Sequence, residues 1–439
     1  MSLLKNVSGQ KPREITVEVL ARRGGGMFVE DLLDNALSRT LLSDVDRRLC
    51  QELVYGIVRW EAALDWLIAR KTANRSQKPA LQNLLRLGLY QIFYLERIPN
   101  HAAVHETVQL AKTRGFGPQA GFVNAVLRAY LREFAATKVA LADLKRNQPH
   151  LGYSHPEWLV NRWEKRFNRK QVVQLLDWNN TPPKTYARVN TLKTDPEKLL
   201  AQWRQENVDY HFVRRDWLEE NLVFELKSHP PLNTLLSFKQ GLFYIQDPST
   251  LLAVKKLDPR PGEAILDLCA APGGKLTYMG QVMQNRGRLV AQDTNPERLR
   301  LVEENCARLG VTCVEIRNLR RAGQFTGAPP LFDSVLIDAP CSNTGVMRRR
   351  VDLRWRLRPE EIERLTSAQM DLLRTGAAAL KPGGILIYST CSLEPEENTQ
   401  VLSGFLSSTA NMRLESEQEL QPFAEQVDGA YVARMTRVR

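Results

Sequence analysis

The chain has 439 residues with 43% hydrophobic and 25% charged side chains, a composition that is ordinary for globular proteins and long enough for two to four domains. Its net charge of +12, concentrated in residues 1–150, indicates a polyanionic partner, with a well-solvated basic surface as the alternative. Six cysteines without a C-x-x-C pair and six scattered histidines argue against a zinc site, so we expect no metal. The chain shows no signal-peptide pattern and no run of 18 apolar residues, so we expect a cytoplasmic protein without a membrane partner.

Residues 1–145 predict an all-α bundle. Ser43 and Asp44 are placed to cap a helix whose apolar residues recur at helical spacing. Leu81–Leu95 and Phe122–Leu131 are further apolar helices, and neither shows the alternation of a strand. We therefore interpret this part of the chain as a helical domain.

Residues 146–240 change character and predict a small α+β module. Helical patterns around Trp158–Phe167 and Lys170–Trp178 are followed by an alternating run, Thr185–Asn190, that is typical of a strand. A helix near Pro196–Glu206 and more short strands come next.

Residues 241–439 alternate between strand and helix patterns. Such alternation predicts a mostly parallel sheet with helices on both faces, in the manner of a Rossmann fold. Glu297–Leu309 and Pro359–Leu380 are the clearest helices. The candidate strands are Ala264–Leu268, Gly287–Gln292, Thr312–Ile316, Ser334–Ile337 and Ile385–Tyr388.

A loop of small residues, Asp267–Lys275, follows the first of these strands. Its members are candidate cofactor-binding residues: Cys269, Ala270, Ala271, Pro272, Gly273, Gly274 and Lys275. The spacing matches neither a P-loop nor a dinucleotide fingerprint. Asp293 ends the next strand, where a carboxylate accepts hydrogen bonds from ribose hydroxyls. The loop and this acid together fit a nucleoside cofactor without a pyrophosphate, such as S-adenosylmethionine, and a tight structural turn is the alternative.

Two cysteines each follow a predicted buried strand. Cys341 lies in Asp338-Ala339-Pro340-Cys341-Ser342, and Cys391 lies in Ser389-Thr390-Cys391-Ser392. Thiols at the carboxyl edge of an α/β sheet stand where ligands bind, and a thiolate is a strong nucleophile. This pair therefore predicts covalent chemistry on a substrate, whereas inert core thiols are the alternative. Cys306 and Cys313 lack such a context, and we interpret them as core residues.

These motifs resemble those of the S-adenosylmethionine-dependent RNA cytosine-5 methyltransferases. The resemblance rests on Asp267–Lys275, Asp338–Ser342 and Thr390–Ser392, with a lead-in segment at 241–249 and a closing hairpin at 428–434. The N-terminal part resembles the antitermination-factor-like RNA-binding domain. The combination resembles the branch of the family that acts on bacterial small-subunit ribosomal RNA. It implies a multidomain protein with domains at 1–145, 146–240 and 241–439.

The resemblance also implies roles for single residues. It implies that Cys391 attacks carbon 6 of cytosine and that Cys341 assists the later elimination. Asp338 is expected to hydrogen-bond the cytosine edge and to contribute to the cofactor site, with Lys275 orienting it. Asn318 stands where the family has an acid that contacts adenine, and its amide oxygen is still an acceptor, so we expect weaker rather than absent cofactor binding.

The remaining expectations concern partners. Arg348-Arg349-Arg350 predicts a phosphate clamp, and Trp355 predicts either a base-stacking or a packed indole. We expect small-subunit ribosomal RNA as the substrate, no DNA substrate and a monomer. Three alternatives stay open at this point: a DNA cytosine methyltransferase with Pro340-Cys341 as its nucleophile motif, a cytosine-5 methyltransferase on another RNA, and a non-catalytic ribosome assembly factor.

Overall fold

The computed structural model describes residues 11–318 and 332–438, which divide by their contacts into two units. The helical unit contains the chain up to Thr181 together with Met347–Arg356. The sheet unit contains Pro182–Val346 and the chain from Leu357 onward. In the described part of the chain no helix combines the length and apolar character needed to cross a bilayer.

The helical unit is built around one apolar core. Ser43 caps its third helix by accepting a hydrogen bond from the Asp46 amide at 3.1 Å, as the sequence predicts. Gly88 allows the fifth and seventh helices to approach closely, because a Cβ there would lie 2.6 Å from Leu127. The helices are α1 Pro12–Ala21, α2 Val29–Ser38, α3 Asp44–Arg59, α4 Glu61–Lys71, α5 Pro79–Tyr94, α6 Asn100–Thr113, α7 Ala120–Arg132, α8 Phe134–Asn147, α9 Pro149–Gly152, α10 Glu157–Glu164 and α11 Arg169–Asn180.

The sheet unit begins with a small antiparallel sheet. Its strands lie in the order β2-β3-β1-β4, and helix α12 covers it through Leu199 and Trp203. The elements are β1 Thr185–Val189, α12 Pro196–Gln205, β2 Asp209–Phe212, β3 Val223–Ser228, α13 Leu236–Lys239 and β4 Phe243–Ile245. The predicted α+β module is therefore present, but the two helices predicted at its start, α10 and α11, group with the helical unit.

The larger sheet has the order β10-β11-β9-β8-β5-β6-β7 in the described residues. Strands β5 to β9 run parallel to one another. Strand β11 pairs antiparallel with β9, and β10 pairs antiparallel with β11. The elements are α14 Leu251–Leu257, β5 Ala264–Asp267, α15 Gly274–Val282, β6 Arg288–Asp293, α16 Pro296–Leu309, β7 Val314–Asn318, β8 Phe332–Asp338, α18 Pro359–Ala379, β9 Leu380–Thr390, α19 Thr399–Ser408, β10 Met412–Leu420, α20 Pro422–Glu425 and β11 Ala430–Arg437. Helix α17, Leu353–Arg356, follows β8 in the chain but belongs to the helical unit.

This strand order places a topological switch between β5 and β8. From β5 the chain continues to β6 and β7 on one side, and then returns to β8 and β9 on the other. Ligands of open α/β sheets bind at the carboxyl ends of the strands at such a point. The predicted fold class, a helical bundle, an α+β module and a Rossmann-like domain, is confirmed.

The segment Met347–Arg356 differs from its prediction. Arg348 is buried, and its guanidinium lies 4.0 Å from the centre of the Trp178 ring. The Trp355 indole packs against the helical core and donates its Nε1–H to the Val58 carbonyl at 2.8 Å. The predicted phosphate clamp is therefore wrong for Arg348. Trp355 was predicted either to stack on a base or to pack in the protein, and the structure shows the packed indole.

Candidate active site

The small-residue loop connects β5 to α15 and lies at the topological switch point between β5 and β8. It is held by its backbone, since Leu268 N–H donates to Leu336 O at 3.0 Å and Ala270 N–H donates to Gln292 O at 2.9 Å. Gly273 has φ +102°, a conformation that glycine adopts without strain, and α15 begins at the next residue. The loop thus presents its small side chains, Cys269, Ala270, Ala271, Pro272, Gly273 and Gly274, beside the carboxyl ends of β6 and β8.

Asp293 ends β6 and fixes the loop from the side. One carboxylate oxygen accepts the Ala271 amide at 3.3 Å, and the other accepts the Asn295 amide at 3.0 Å. Arg298 donates to the Ala271 carbonyl at 2.7 Å and lies 3.5 Å from the same carboxylate. Asn318 ends the neighbouring strand β7, where its backbone pairs with that of Asp293. Both predicted cofactor residues are therefore at the strand ends.

A lysine and two carboxylates meet next to this loop. Lys275 Nζ lies 2.6 Å from Asp338 Oδ2, and Ser389 donates its hydroxyl to Asp338 Oδ1 at 3.0 Å. Burial lowers the pKa of Lys275, but the Asp338 carboxylate outweighs it and the net pKa is raised. Asp267 is buried at the end of β5, and burial together with the nearby Asp338 raises its pKa to about 7. The predicted contact between Lys275 and Asp338 is present.

The two predicted cysteines lie side by side. Their sulfur atoms are 3.3 Å apart, and both thiols are free. Cys341 is 8% exposed, and its hydrogen bond with Cys391 and its burial raise its pKa well above the ordinary value. Cys391 is half-buried and donates its thiol proton to Asn343 Oδ1 at 2.9 Å. The amide of Asn343 is oriented by its own bond to the Cys341 carbonyl at 2.7 Å.

Sequence reasoning missed the residues that hold this pair. Asn343 contacts Cys391, and Glu397 accepts hydrogen bonds from the serine that follows each cysteine. The sequence shows an acidic run after Cys391 that includes Glu397. Periodicity does not predict that this run turns back and that Glu397 bonds to Ser342 and Ser392. In the described part of the chain, no group of three or more His, Cys, Asp or Glu side chains is arranged to hold a metal.

The cysteines without a predicted role lie elsewhere. Cys50 is in the helical core, and Cys306 and Cys313 pack in the core of the sheet unit. Burial raises the pKa of Cys306 to about 12. The interpretation of Cys306 and Cys313 as core residues agrees with this packing.

A solved structure with the same fold defines the class of protein. The chain is similar to a methyltransferase homolog protein from Pyrococcus horikoshii, with 29% identity and a TM-score of 0.56 over 66% of this chain and 97% of that one. With the strand order and the site at its switch point, this likeness defines a methyltransferase.

Family comparisons place the chain more narrowly. Residues 254–436 match the family described as 16S rRNA methyltransferase RsmB/F, residues 10–132 match the NusB family, and residues 155–225 match the RsmF/B-like ferredoxin-like domain. The chain is 37% identical to the probable ribosomal RNA small subunit methyltransferase B of Bacillus subtilis strain 168, over 90% of this chain and 88% of that protein. It is 35% identical to the ribosomal RNA small subunit methyltransferase B of Klebsiella pneumoniae strain 342, over 91% and 92%. The chain therefore belongs to the 16S rRNA methyltransferase RsmB/F family, and the resemblance in the sequence is confirmed.

Proposed function

We propose that this protein transfers a methyl group from S-adenosylmethionine to carbon 5 of a cytosine in small-subunit ribosomal RNA. The observation that carries the proposal is the pair of free thiols, 3.3 Å apart, at the ends of the adjacent parallel strands β8 and β9. Two thiols at this edge suit a reaction in which one bonds to the substrate and the other moves a proton.

The residues of the loop fit S-adenosylmethionine chemically. The cofactor is a cation at its sulfonium and its ammonium, and the buried carboxylate of Asp267 lies near two other carboxylates, Asp293 and Asp338. Such a cluster favours a bound cation, because the cation relieves the repulsion among the carboxylates. We propose that the small-residue loop and Asp293 hold the nucleoside, that Asn318 contacts the adenine, and that Asp338 and Lys275 border the transferable group.

In the proposed chemistry Cys391 is the nucleophile. When bound, the cofactor supplies an electrophilic methyl group. Carbon 5 of cytosine is a weak nucleophile. Cys391 loses its thiol proton to solvent, and the thiolate forms a bond to carbon 6 while the electron pair of the double bond moves onto carbon 5. Cys391 is the more exposed of the two thiols, and the nucleophile must be accessible to the cytosine ring.

The neighbouring groups have complementary proposed roles. In the proposed elimination Cys341 first gives its own proton to solvent, and its thiolate then accepts the carbon-5 proton. The electron pair of that C–H bond re-forms the double bond between carbons 5 and 6 and expels the Cys391 thiolate, which regenerates the enzyme. Cys341 is the more buried of the two thiols, which makes it a poor competitor for the nucleophile role. Asp338, held by Lys275 and Ser389, is placed to bond the cytosine edge and favour attack.

The substrate class follows from this chemistry. A thiolate cannot reach carbon 6 inside a stacked helix, so the base must be unpaired or flipped out. We propose that the protein acts as a monomer on RNA rather than on DNA. Ribosomal RNA as the substrate makes the cytoplasm the proposed place of action.

Transfer of labelled methyl groups tests this proposal. Wild type is expected to place 5-methylcytosine in small-subunit ribosomal RNA and no label in a DNA duplex. Cys391→Ala is expected to lose transfer, whereas Cys341→Ala is expected to retain attack and accumulate protein linked to RNA on a denaturing gel. Cys306→Ala, a core thiol outside the site, is the matched control. An adduct that forms with Cys391→Ala would reverse the assignment of the two cysteines.

A further inference from the structure

Glu397 is a fully buried carboxylate that the proposed chemistry does not use. It lies in a short turn, Pro395–Glu397, that follows β9, and its exposed fraction is 0%. Burying a carboxylate is costly unless hydrogen bonds replace its water. The partners of Glu397 therefore indicate what the buried charge supports.

Glu397 bridges the two cysteine loops. Its Oε1 accepts the Ser342 amide at 2.8 Å, and its Oε2 accepts the hydroxyls of both Ser342 and Ser392, the latter at 2.5 Å. Gln369 on α18 adds a bond to Oε1 at 3.1 Å. Ser342 directly follows Cys341, and Ser392 directly follows Cys391. One carboxylate thus holds the residue next to each reactive thiol.

The bridge acts where the sheet no longer holds the loops together. The last paired residues of β8 and β9 are Asp338 and Ser389, with the Ala339 amide bonded to the Ser389 carbonyl at 2.9 Å. Beyond this point, the bond from Gly345 N–H to Cys391 O and the contact between the Ser342 and Ser392 hydroxyls join the loops beside Glu397. Every partner of Glu397 in these bonds donates, so a carboxylate satisfies all of them, whereas an amide would offer its NH₂ group to donors.

We infer that Glu397 is a positioning residue that fixes the spacing of the Cys341 and Cys391 sulfur atoms. The inference rests on the proposed function, in which one base meets both thiols in turn. Preorganised geometry lowers the barrier for such steps, and a misplacement of about 1 Å can cost about 100-fold in rate. Glu397 thus acts through Ser342 and Ser392 and does not touch the base.

Single-turnover kinetics tests the inference. Glu397→Gln is expected to lower the rate constant of methyl transfer about 10- to 100-fold while leaving RNA and cofactor affinities within about threefold. A residue that only stabilises the fold would lower the amplitude, since fewer molecules are active, and leave the rate constant unchanged; that result would overturn the inference. Glu363→Gln, an exposed glutamate on α18, is the matched control.

A second measurement reads the sulfur spacing without catalysis. Phenylarsine oxide forms two As–S bonds with a pair of close thiols and releases water, so its affinity reports their preorganisation. Wild type and Glu363→Gln are expected to bind it tightly, with the site lost in Cys341→Ala and in Cys391→Ala. Glu397→Gln is expected to bind it at least tenfold more weakly; equal affinity would contradict the inference.

Ser392→Ala keeps the test open if Glu397→Gln does not fold. It removes one arm of the bridge and leaves the carboxylate with its other partners, and we expect the same loss of rate constant and arsenical affinity to a smaller degree. Wild type that transfers no methyl group but binds the arsenical would contradict the proposed function alone. Wild type that transfers methyl groups, with unchanged rates in both variants, would contradict only the role of Glu397.

Discussion

Cys341 and Cys391 are the same residue type, yet their surroundings differ. Cys341 is nearly buried, and its own carbonyl orients Asn343. Cys391 is half-buried and bonded to the Asn343 oxygen, an interaction that requires the thiol proton. In the proposed reaction this bond breaks when Cys391 attacks. The sequence predicted both thiols because each follows a strand. It did not predict Asn343, the hydrogen-bond partner of Cys391, because Asn343 lies in a turn at φ +57° that no sequence pattern specified.

Asp267 makes a prediction about pH. Its pKa is about 7 in the folded protein, raised by burial and by Asp338, and about 3.9 in an unfolded chain. The folded state therefore holds a proton that the unfolded state loses between these values. Stability from this group is complete below about pH 4 and is lost as the pH rises through about 7, by up to about 4 kcal/mol.

Asp267→Asn is expected to remove this pH dependence. At about pH 4 the variant and wild type are expected to unfold at similar temperatures, because Asp267 is then neutral in the folded state and only about half ionised in the unfolded chain. At about pH 8 the variant is expected to be more stable by several degrees. Thermal unfolding at both pH values measures the difference, with Asp258→Asn, an exposed carboxylate, as the control. A variant that loses stability equally at both pH values would contradict the raised pKa.

At the scale of elements, the parallel strands were the most predictable part. Apolar runs bounded by loops predicted β5 to β8 within about two residues, since buried parallel strands are continuous hydrophobic runs, and helical patterns predicted α16 and α18 within about one residue. Strand β9 begins five residues before its predicted start, because Lys381–Gly384 interrupts the apolar run. Strand β10, Met412–Leu420, escaped periodicity because its sequence is rich in charge and most of its side chains are exposed or half-exposed. It is a strand because β11 pairs with it in antiparallel register, and this pairing is a tertiary interaction that the alternation of its own side chains does not reveal.

The segment Met347–Arg356 was predicted only in part, because its contacts also depend on residues outside the local sequence. The run Arg348–Arg350 favours an exposed phosphate clamp on composition, yet Arg348 is buried, and Arg354, for which no role was predicted, is 0% exposed within the helical unit. Its guanidinium donates to the carbonyls of Arg59, Ser154 and Asn179 and to the side-chain oxygen of Asn180. These acceptors lie more than 170 residues away in sequence, so no local pattern contained them.

Arg354→Met is expected to destabilise the helical unit. The change keeps much of the side-chain volume but leaves buried carbonyl oxygens without a donor, at a cost of about 3 kcal/mol. Hydrogen exchange measured by mass spectrometry should show faster exchange at the ends of α3 and α11, together with a lower urea midpoint. Arg350→Met, an exposed neighbour, is the control. Unchanged exchange would mean that the carbonyls find other donors.

For the whole molecule, net charge is the property that the sequence conveyed directly. The charge of +12 predicts attraction to RNA, and each neutralised phosphate adds to the salt dependence of binding. Composition did not say which surface the RNA uses. The structure shows a cluster of exposed cations, Lys165, Arg166, Arg169 and Lys170, at the turn between α10 and α11 of the helical unit.

Charge reversal tests whether that cluster contacts the RNA. Lys165→Glu with Lys170→Glu is expected to weaken binding to small-subunit ribosomal RNA about tenfold at low salt and to reduce the slope of log affinity against log salt by about 1 to 2 between about 50 and 200 mM. The control reverses Lys198 and Lys255 of the sheet unit, whose side chains are 79% and 53% exposed. Both double variants lower the net charge equally, so a diffuse attraction would weaken binding equally in both. If RNA affinity falls only in the variant of Lys165 and Lys170, the helical unit contacts the phosphates. Two variants with the same total charge can differ only through local contacts.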